Sequence, residues 1–284
     1  FNSILVWLHL SCSVNLSKFF CSLFSLDLIV FNSSFVLSLS KKTSIEQFSE
    51  DKIHLISYGD EKYKKTKEIL SNEAHSTKWF SSINLYGQND LTESFTKEFS
   101  DVLKHGRGGG HWIWKYDIIL KRLAEINYGD FLIYIDSGCK INSNGGKRLK
   151  EYIDIIKKNK HKIISFELTH IEKIWTTKQI FNAFNVSING NIANSNQYVG
   201  GIMIMQKCNK IIELFEDCLN KIRKDHLIIT DHYNVNQNSY FKDNRHDQSI
   251  SSVARKIHGS IVIPDETYGE NLENKPFLAI RRRG

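Results

Sequence analysis

Short apolar runs alternate with amphipathic stretches of helical length from residue 52 to residue 263, and few folds accommodate that alternation. "KIHLISYG" (52–59), "WFSSINLYG" (79–87), Phe131–Ile135, "KIISFEL" (162–168), "YVGGIMIMQ" (198–206) and "SIVI" (260–263) read as strands. Runs rich in β-branched and aromatic residues suit strands covered on both faces. Between them, 61–74, 90–103, 116–126, 147–160, 209–222 and 247–257 read as helices. In "DLTESFTKEFSDVL" (90–103), Leu91, Phe95, Phe99 and Leu103 fall four apart on one face, with Asp90 as the N-cap. The alternation predicts an α/β fold: a mainly parallel, Rossmann-like central sheet flanked by helices.

The chain has 284 residues, 41% hydrophobic and 24% charged, with only two prolines. No Pro/Gly/Ser-rich linker divides residues 46–284, which therefore read as one domain. Residues 1–45 form an apolar extension whose first 40 residues carry only Lys18 and Asp27 besides His9. Its longest uncharged run, Phe1–Ser17, falls short of the roughly 20 apolar residues of a spanning helix. It reads as a non-native or peripheral stretch, with a membrane-associated segment as the alternative. The expected location is cytoplasmic, at the inner face of a membrane if the extension associates with one.

A formal charge of +7 implies an acidic partner. The basic residues are dispersed, and no zinc finger, RNA-binding aromatic signature or basic heptad region occurs, so a phosphate-bearing small molecule is expected and nucleic acid is not. Five cysteines, an odd number without a CxxC, indicate reduced thiols.

Four stretches carry more than packing requires. "HGRGGGHWIWKYDIIL" (105–120) places three glycines, which let a backbone approach a ligand, before a helix whose start holds Lys115. It lacks P-loop spacing, and a flexible loop with Trp112 and Trp114 as core is the bland reading. In "GDFLIYIDSGCKIN" (129–142) an apolar run ends on Asp136. At the carboxyl end of a parallel strand this carboxylate would face the crevice where open α/β sheets bind ligands, although a lone strand-end Asp is commonly a turn residue. "NSNQYVGGIMIMQK" (194–207) puts Gly200 and Gly201 into a strand, which suits either a ligand-lined wall or a β-bulge. "FKDNRHDQSISS" (241–252) crowds Arg245, His246, Asp247 and Gln248 at a helix start.

In this order, "G-x-G-x-W-x-W-K", "GD-x-L-x-Y-x-D-x-G-C", "Q-x-x-G-G" and "RHDQS" resemble the glycosyltransferases of the nucleotide-diphospho-sugar transferase (GT-A) superfamily of bacterial surface-polysaccharide clusters and large viruses. The resemblance covers about residues 52–284, including "PDET" (264–267) and "PFLAIRRR" (276–283), and leaves 1–45 outside. It implies a GT-A-like domain that moves a sugar from a nucleotide-diphosphate donor to a glycan or lipid-linked glycan acceptor. Ser57 and Tyr58 would lie near the base or ribose. Asp136 would be the donor-sugar or metal carboxylate, with Gly200 and Gly201 in the donor-binding wall. Asp247 and Gln248 would sit beside the donor sugar and acceptor.

Lys115, Arg107 and Arg245 would clamp the pyrophosphate, and His246 would be a metal ligand or phosphate contact. GT-A enzymes hold Mn²⁺ or Mg²⁺ with a D-x-D. Here Gly138 replaces the second acid, so a divalent cation and a Lys/Arg clamp both stay open, the cation ranked first. An inverting enzyme needs a base, for which Asp247, Glu167 and Glu172 are available; a retaining one does not. A non-catalytic nucleotide-sugar or glycan-binding module and a metal-dependent hydrolase built on Asp136, His246 and Asp247 are the competing readings.

Overall fold

The computed structural model describes residues 51–282; the expected extension over 1–45 lies outside the described residues. The strands are β1 (Ile53–Tyr58), β2 (Ser82–Tyr86), β3 (Phe131–Ile135), β4 (Lys140–Ile141), β5 (Ile163–Ile171), β6 (Asn196–Tyr198), β7 (Ile202–Gln206), β8 (Ile261–Pro264) and β9 (Phe277–Leu278). The longer helices are α1 (Lys64–Thr77), α2 (Glu93–Glu98), α3 (Trp114–Glu125), α4 (Gly146–Lys158), α5 (Asn209–Lys224) and α6 (Asp247–His258). The α/β class expected from the alternation is the observed one.

Seven strands form the central sheet in the order β2-β1-β3-β7-β5-β6, with β8 pairing β5. β2, β1 and β3 pair in parallel, as do β5 and β8. β7 runs antiparallel between β3 and β5, and β6 antiparallel on β5. The carboxyl ends of β1, β3 and β5 therefore share one sheet edge with the amino end of β7. β4 and β9 make a separate antiparallel pair.

Alternation along the strands feeds two cores. Leu132 and Tyr134 face one side with residues of α3, α5 and α6, while Phe131, Ile133 and Ile135 face the other with residues of α1 and α4. Every residue of β3 is buried, as its continuous apolar run requires.

Three local expectations change. The stretch 198–206 is two strands, because the chain leaves β6 at Val199 and re-enters the sheet as β7 at Ile202. The stretch 90–103 breaks at Phe99, which joins α2 to a short helix Ser100–Leu103. Thr92, not Asp90, is the N-cap of α2; its amide and hydroxyl both donate to Asp117, while Asp90 accepts from the Gly87 amide at 2.7 Å. Among the described residues Cys139, Cys208 and Cys218 are free, and no helix is long and apolar enough to cross a membrane.

Candidate functional site

β3 delivers Asp136 to the shared edge. Its amide donates to Gly201 O at 2.8 Å, and the Cys139 amide donates back to Asp136 O at 2.9 Å, closing the turn through Ser137 and Gly138. The Tyr134 hydroxyl, two residues earlier on the same face, donates to Asp136 Oδ1 at 2.5 Å. The carboxylate is left 45% exposed.

Lys115 is the second residue of α3, and its side chain turns inward to 3% exposure. Its ammonium donates to Gly200 O at 3.0 Å and to the Asp247 carboxylate, and lies 3.5 Å from Asp136 Oδ1. The same ammonium stands over the Tyr134 ring, 4.7 Å from its centroid. Three oxygens thus face its three N–H groups. Burial would lower the lysine's pKa, but Asp136 and Asp247 outweigh it and the net shift is upward. Asp247 is buried too, and burial raises its carboxyl to about 6 despite the opposing pull of Lys115. A unit charge pair at 4 Å is worth about 4 kcal/mol at an effective dielectric of 20, so each of these buried charges depends on the others.

The Gly200–Gly201 break forms the adjoining wall. A Cβ on Gly201 would meet Asp136 Oδ2 at 2.6 Å, so this glycine keeps the open oxygen of the carboxylate clear. The Gly200 amide donates to Gln248 Oε1 at 2.9 Å, and Gln248 Nε2 donates to Gln197 Oε1 at 2.7 Å. Gln197 in turn donates to Glu172, Thr176 and Ser249. Glu172 also accepts from Ser252 and Lys256 and is fully buried, which makes it part of the internal support.

The structure brings together Lys115, Asp136, Gly200, Gly201, Asp247 and Gln248 from four separate sequence stretches. Glu167 of β5 lies on the same edge and, alternating with Ile163 and Ser165, on the same face; no hydrogen bond or ion pair joins its side chain to the Lys115 group. Ser57 and Tyr58 end β1 at this edge. The Ser57 hydroxyl is buried without a partner, and the Tyr58 ring is covered by Trp114 at a centroid distance of 3.8 Å.

The remaining sites lie apart. Arg107 pairs at the surface with Asp231 and Asp243. Arg245 stacks on Trp175, 4.3 Å from the ring centroid. His246 groups with His111 and Asp231, and Asp136 is not in that group. Tyr134 and Gln197 stand inside the "GD-x-L-x-Y-x-D-x-G-C" and "Q-x-x-G-G" motifs, but sequence reading gave them no role. It did not single out His111, directly after the three glycines, or Asp231.

A divalent cation fits Asp136 in one form. Mg²⁺ and Mn²⁺ commonly sit on one or two carboxylates together with substrate phosphates and waters. Asp136 Oδ2 is the one open carboxylate oxygen, and the Gly201 cradle reserves the space in front of it. The second acid of a D-x-D has no room. A Cβ on Gly138 would meet the Arg282 carbonyl oxygen at 2.8 Å, where the Arg282 amide donates to Gly138 O. His111, Asp231 and His246 form the three-ligand group among the described residues that could hold a cation.

No family model and no curated protein matches the chain. Among solved structures, it is similar to a glycosyltransferase involved in the glycosylation of the major capsid of PBCV-1, at TM-score 0.43 and 12% identity over 80% of this chain and 93% of that one. It is also similar to mouse xyloside xylosyltransferase 1, at TM-score 0.43 and 11% identity over 75% and 84% of the two chains. A third similar structure is the galactosyltransferase LgtC in complex with donor and acceptor sugar analogs, at TM-score 0.41 and 10% identity over 78% and 82%.

Proposed function

We propose that the protein is a GT-A glycosyltransferase that moves a sugar from a nucleotide-diphosphate donor to a glycan or glycoconjugate acceptor, in surface-polysaccharide assembly. The observation that carries this reading is Lys115, buried between Asp136 and Asp247 at the carboxyl edge of β3 and bonded to the Gly200–Gly201 wall. An open α/β sheet binds its ligand at such an edge.

Glycosyl transfer breaks the bond from the anomeric carbon to the diphosphate oxygen and forms one to an acceptor hydroxyl oxygen. The hydroxyl proton leaves to a base or to the departing phosphate. Asp136 is the group placed to touch the donor: Tyr134 and Lys115 fix Oδ1, and Oδ2 stays open. Lys115 acts through the two carboxylates, since all three of its N–H groups already face protein oxygens. Asp247 and Gln248 are positioning residues, the first through Lys115 and the second through the Gly200 amide. Glu167, on the same edge and face, is the candidate acceptor of the hydroxyl proton. A Mg²⁺ or Mn²⁺ ion held on Asp136 Oδ2 supplies, when bound, positive charge to the diphosphate.

The test is a thermal-shift screen of the full chain against nucleotide sugars, each with Mn²⁺ and with EDTA. A ligand at 100 times its Kd stabilises by about 2.7 kcal/mol, a rise of roughly 5–10 °C for a domain of this size. One donor should give that rise in Mn²⁺ and lose most of it in EDTA. No rise with any nucleotide sugar overturns the reading.

A further inference from the structure

His111 precedes Asp231 by more than 100 residues and Asp231 lies 15 residues before His246, yet their ligating atoms all lie within 4.8 Å of one another. His111 is 2% exposed, and neither of its ring nitrogens has a hydrogen-bond partner. The large majority of buried polar groups are paired, and His111 is the described side chain with two ring nitrogens both buried and free, which suits a partner from outside the chain. Its Nδ1 points to Asp231 Oδ2 at 3.8 Å. His246 is also buried, stacks on His111 at a centroid distance of 4.8 Å, and places Nε2 2.9 Å from Asp231 Oδ1. Arg107 takes Asp231 Oδ1 as well, at 3.0 Å, which leaves Oδ2 as the available oxygen.

The backbone is shaped to hold both histidines. His111, Trp112 and His246 have φ of 53°, 61° and 51°, the left-handed region that non-glycine residues avoid. Gly108, Gly109 and Gly110 lead into His111 with φ of 60°, 58° and 96°. Such conformations gather at functional sites and persist where the surroundings enforce them. The group opens on a cavity of about 430 Å³ whose lining includes His105, His111, Asp231 and His232.

We propose that His111, Asp231 and His246 bind one divalent transition-metal ion of the zinc class. This site is separate from any cation at Asp136, and the proposal does not depend on the glycosyltransferase reading. Two imidazoles and one carboxylate suit zinc-class ions, whereas magnesium and manganese favour all-oxygen sets. Zinc ligands at bonds of about 2.1 Å stand about 3.4 Å apart in a tetrahedron, so the three ligating atoms, within 4.8 Å of one another, would draw closer on binding. Water from the cavity, or His105, its ring 5.0 Å from that of His111, would supply a fourth ligand. The ion would brace the residue before Asp247 and the turn that leads into Lys115.

The experiment strips the full chain with EDTA, then titrates Zn²⁺ by calorimetry and Co²⁺ by visible absorption. The expected result is one Zn²⁺ per chain and a Co²⁺ spectrum of a four-coordinate nitrogen/oxygen site. Asp231→Asn, isosteric at an exposed position, and His111→Ala should each weaken Zn²⁺ binding by at least about 100-fold, the upper end of what loss of an outer-shell partner costs. Asp136→Asn should leave the Zn²⁺ affinity unchanged. Three results overturn the proposal: no stoichiometric Zn²⁺ binding by the folded wild type, equal binding in folded Asp231→Asn, or binding lost in Asp136→Asn.

Discussion

Gly200 and Gln248 touch closely enough that position 200 has no room for a side chain. The Gly200 amide donates to Gln248 Oε1 at 2.9 Å, and a Cβ added to Gly200 would stand 2.7 Å from Gln248 Cβ and 3.0 Å from its Cα. The Cα belongs to the first turn of α6 and cannot swing away. Gly200→Ala should therefore destabilise the domain by about 1–3 kcal/mol, the usual cost of overpacking. Activity should fall further than stability, since the shift moves Gly200 O away from Lys115. Urea denaturation and initial rates check this; an unchanged midpoint would mean that the wall yields.

Asp136→Asn keeps the shape of the side chain and removes the charge that we propose faces the donor. Because the group is 45% exposed and follows the last residue of its strand, the fold should survive, with a melting temperature within a few degrees of wild type. Turnover of the donor identified by thermal shift should fall by at least about 100-fold. Wild-type turnover in this variant would remove Asp136 from the site.

Lys115→Met leaves Asp136 and Asp247 without their shared cation. Removing one partner of a buried ion pair costs about 3–5 kcal/mol, and a comparable loss is expected here. Lys115→Met combined with Asp247→Asn should recover part of it, because the uncompensated buried carboxylate is gone. Chemical denaturation of the single and double variants gives the coupling directly. Simple additivity would show that the two side chains act independently.

Glu266 sets an acid limit on stability away from the site. Burial favours its neutral form, but hydrogen bonds from Arg148, Lys275 and Tyr152 prevail and hold its pKa at about 2, below the ordinary 4.5. A carboxyl depressed in the folded state contributes stability above its unfolded pKa and loses it as pH falls through the folded one. Stability should therefore decline between about pH 4.5 and pH 2 through this group. Glu266→Gln should be less stable than wild type at neutral pH, with the gap narrowing across that window. A gap independent of pH would assign the effect to packing alone.

Much of this architecture is legible in the sequence because strand cores are local. The run Phe131–Ile135 announces a strand covered on both faces, and its terminal acid marks the edge where Lys115, Gly200 and Asp247 converge. The convergence itself is not local. Whether Lys115 points at solvent or at Gly200, 85 residues away, depends on tertiary packing that no motif records. The two glycines in "YVGGIMIMQ" are consistent with a bulge or a wall, and only the sheet order shows that they separate two strands. Asp231 sits in a polar loop with nothing nearby to distinguish it. Gly138, which reads as a lost acid, is a place where the backbone of Arg282 passes too close for any side chain.

The antiparallel insertion of β7 between β3 and β5 has a consequence for how the chain folds. β1, β2 and β3 can pair as soon as Ile135 is made, yet the free side of β3 must wait for Ile202–Gln206. Until then Asp136 has neither the Gly201 carbonyl nor the company of Asp247, and β3 presents an open apolar border. Long-range pairings of this kind slow folding and expose strand edges that aggregate. The edge that becomes the site is thus among the last parts of the sheet to form, and the nascent chain should be most vulnerable to misassociation between the synthesis of β3 and that of β7.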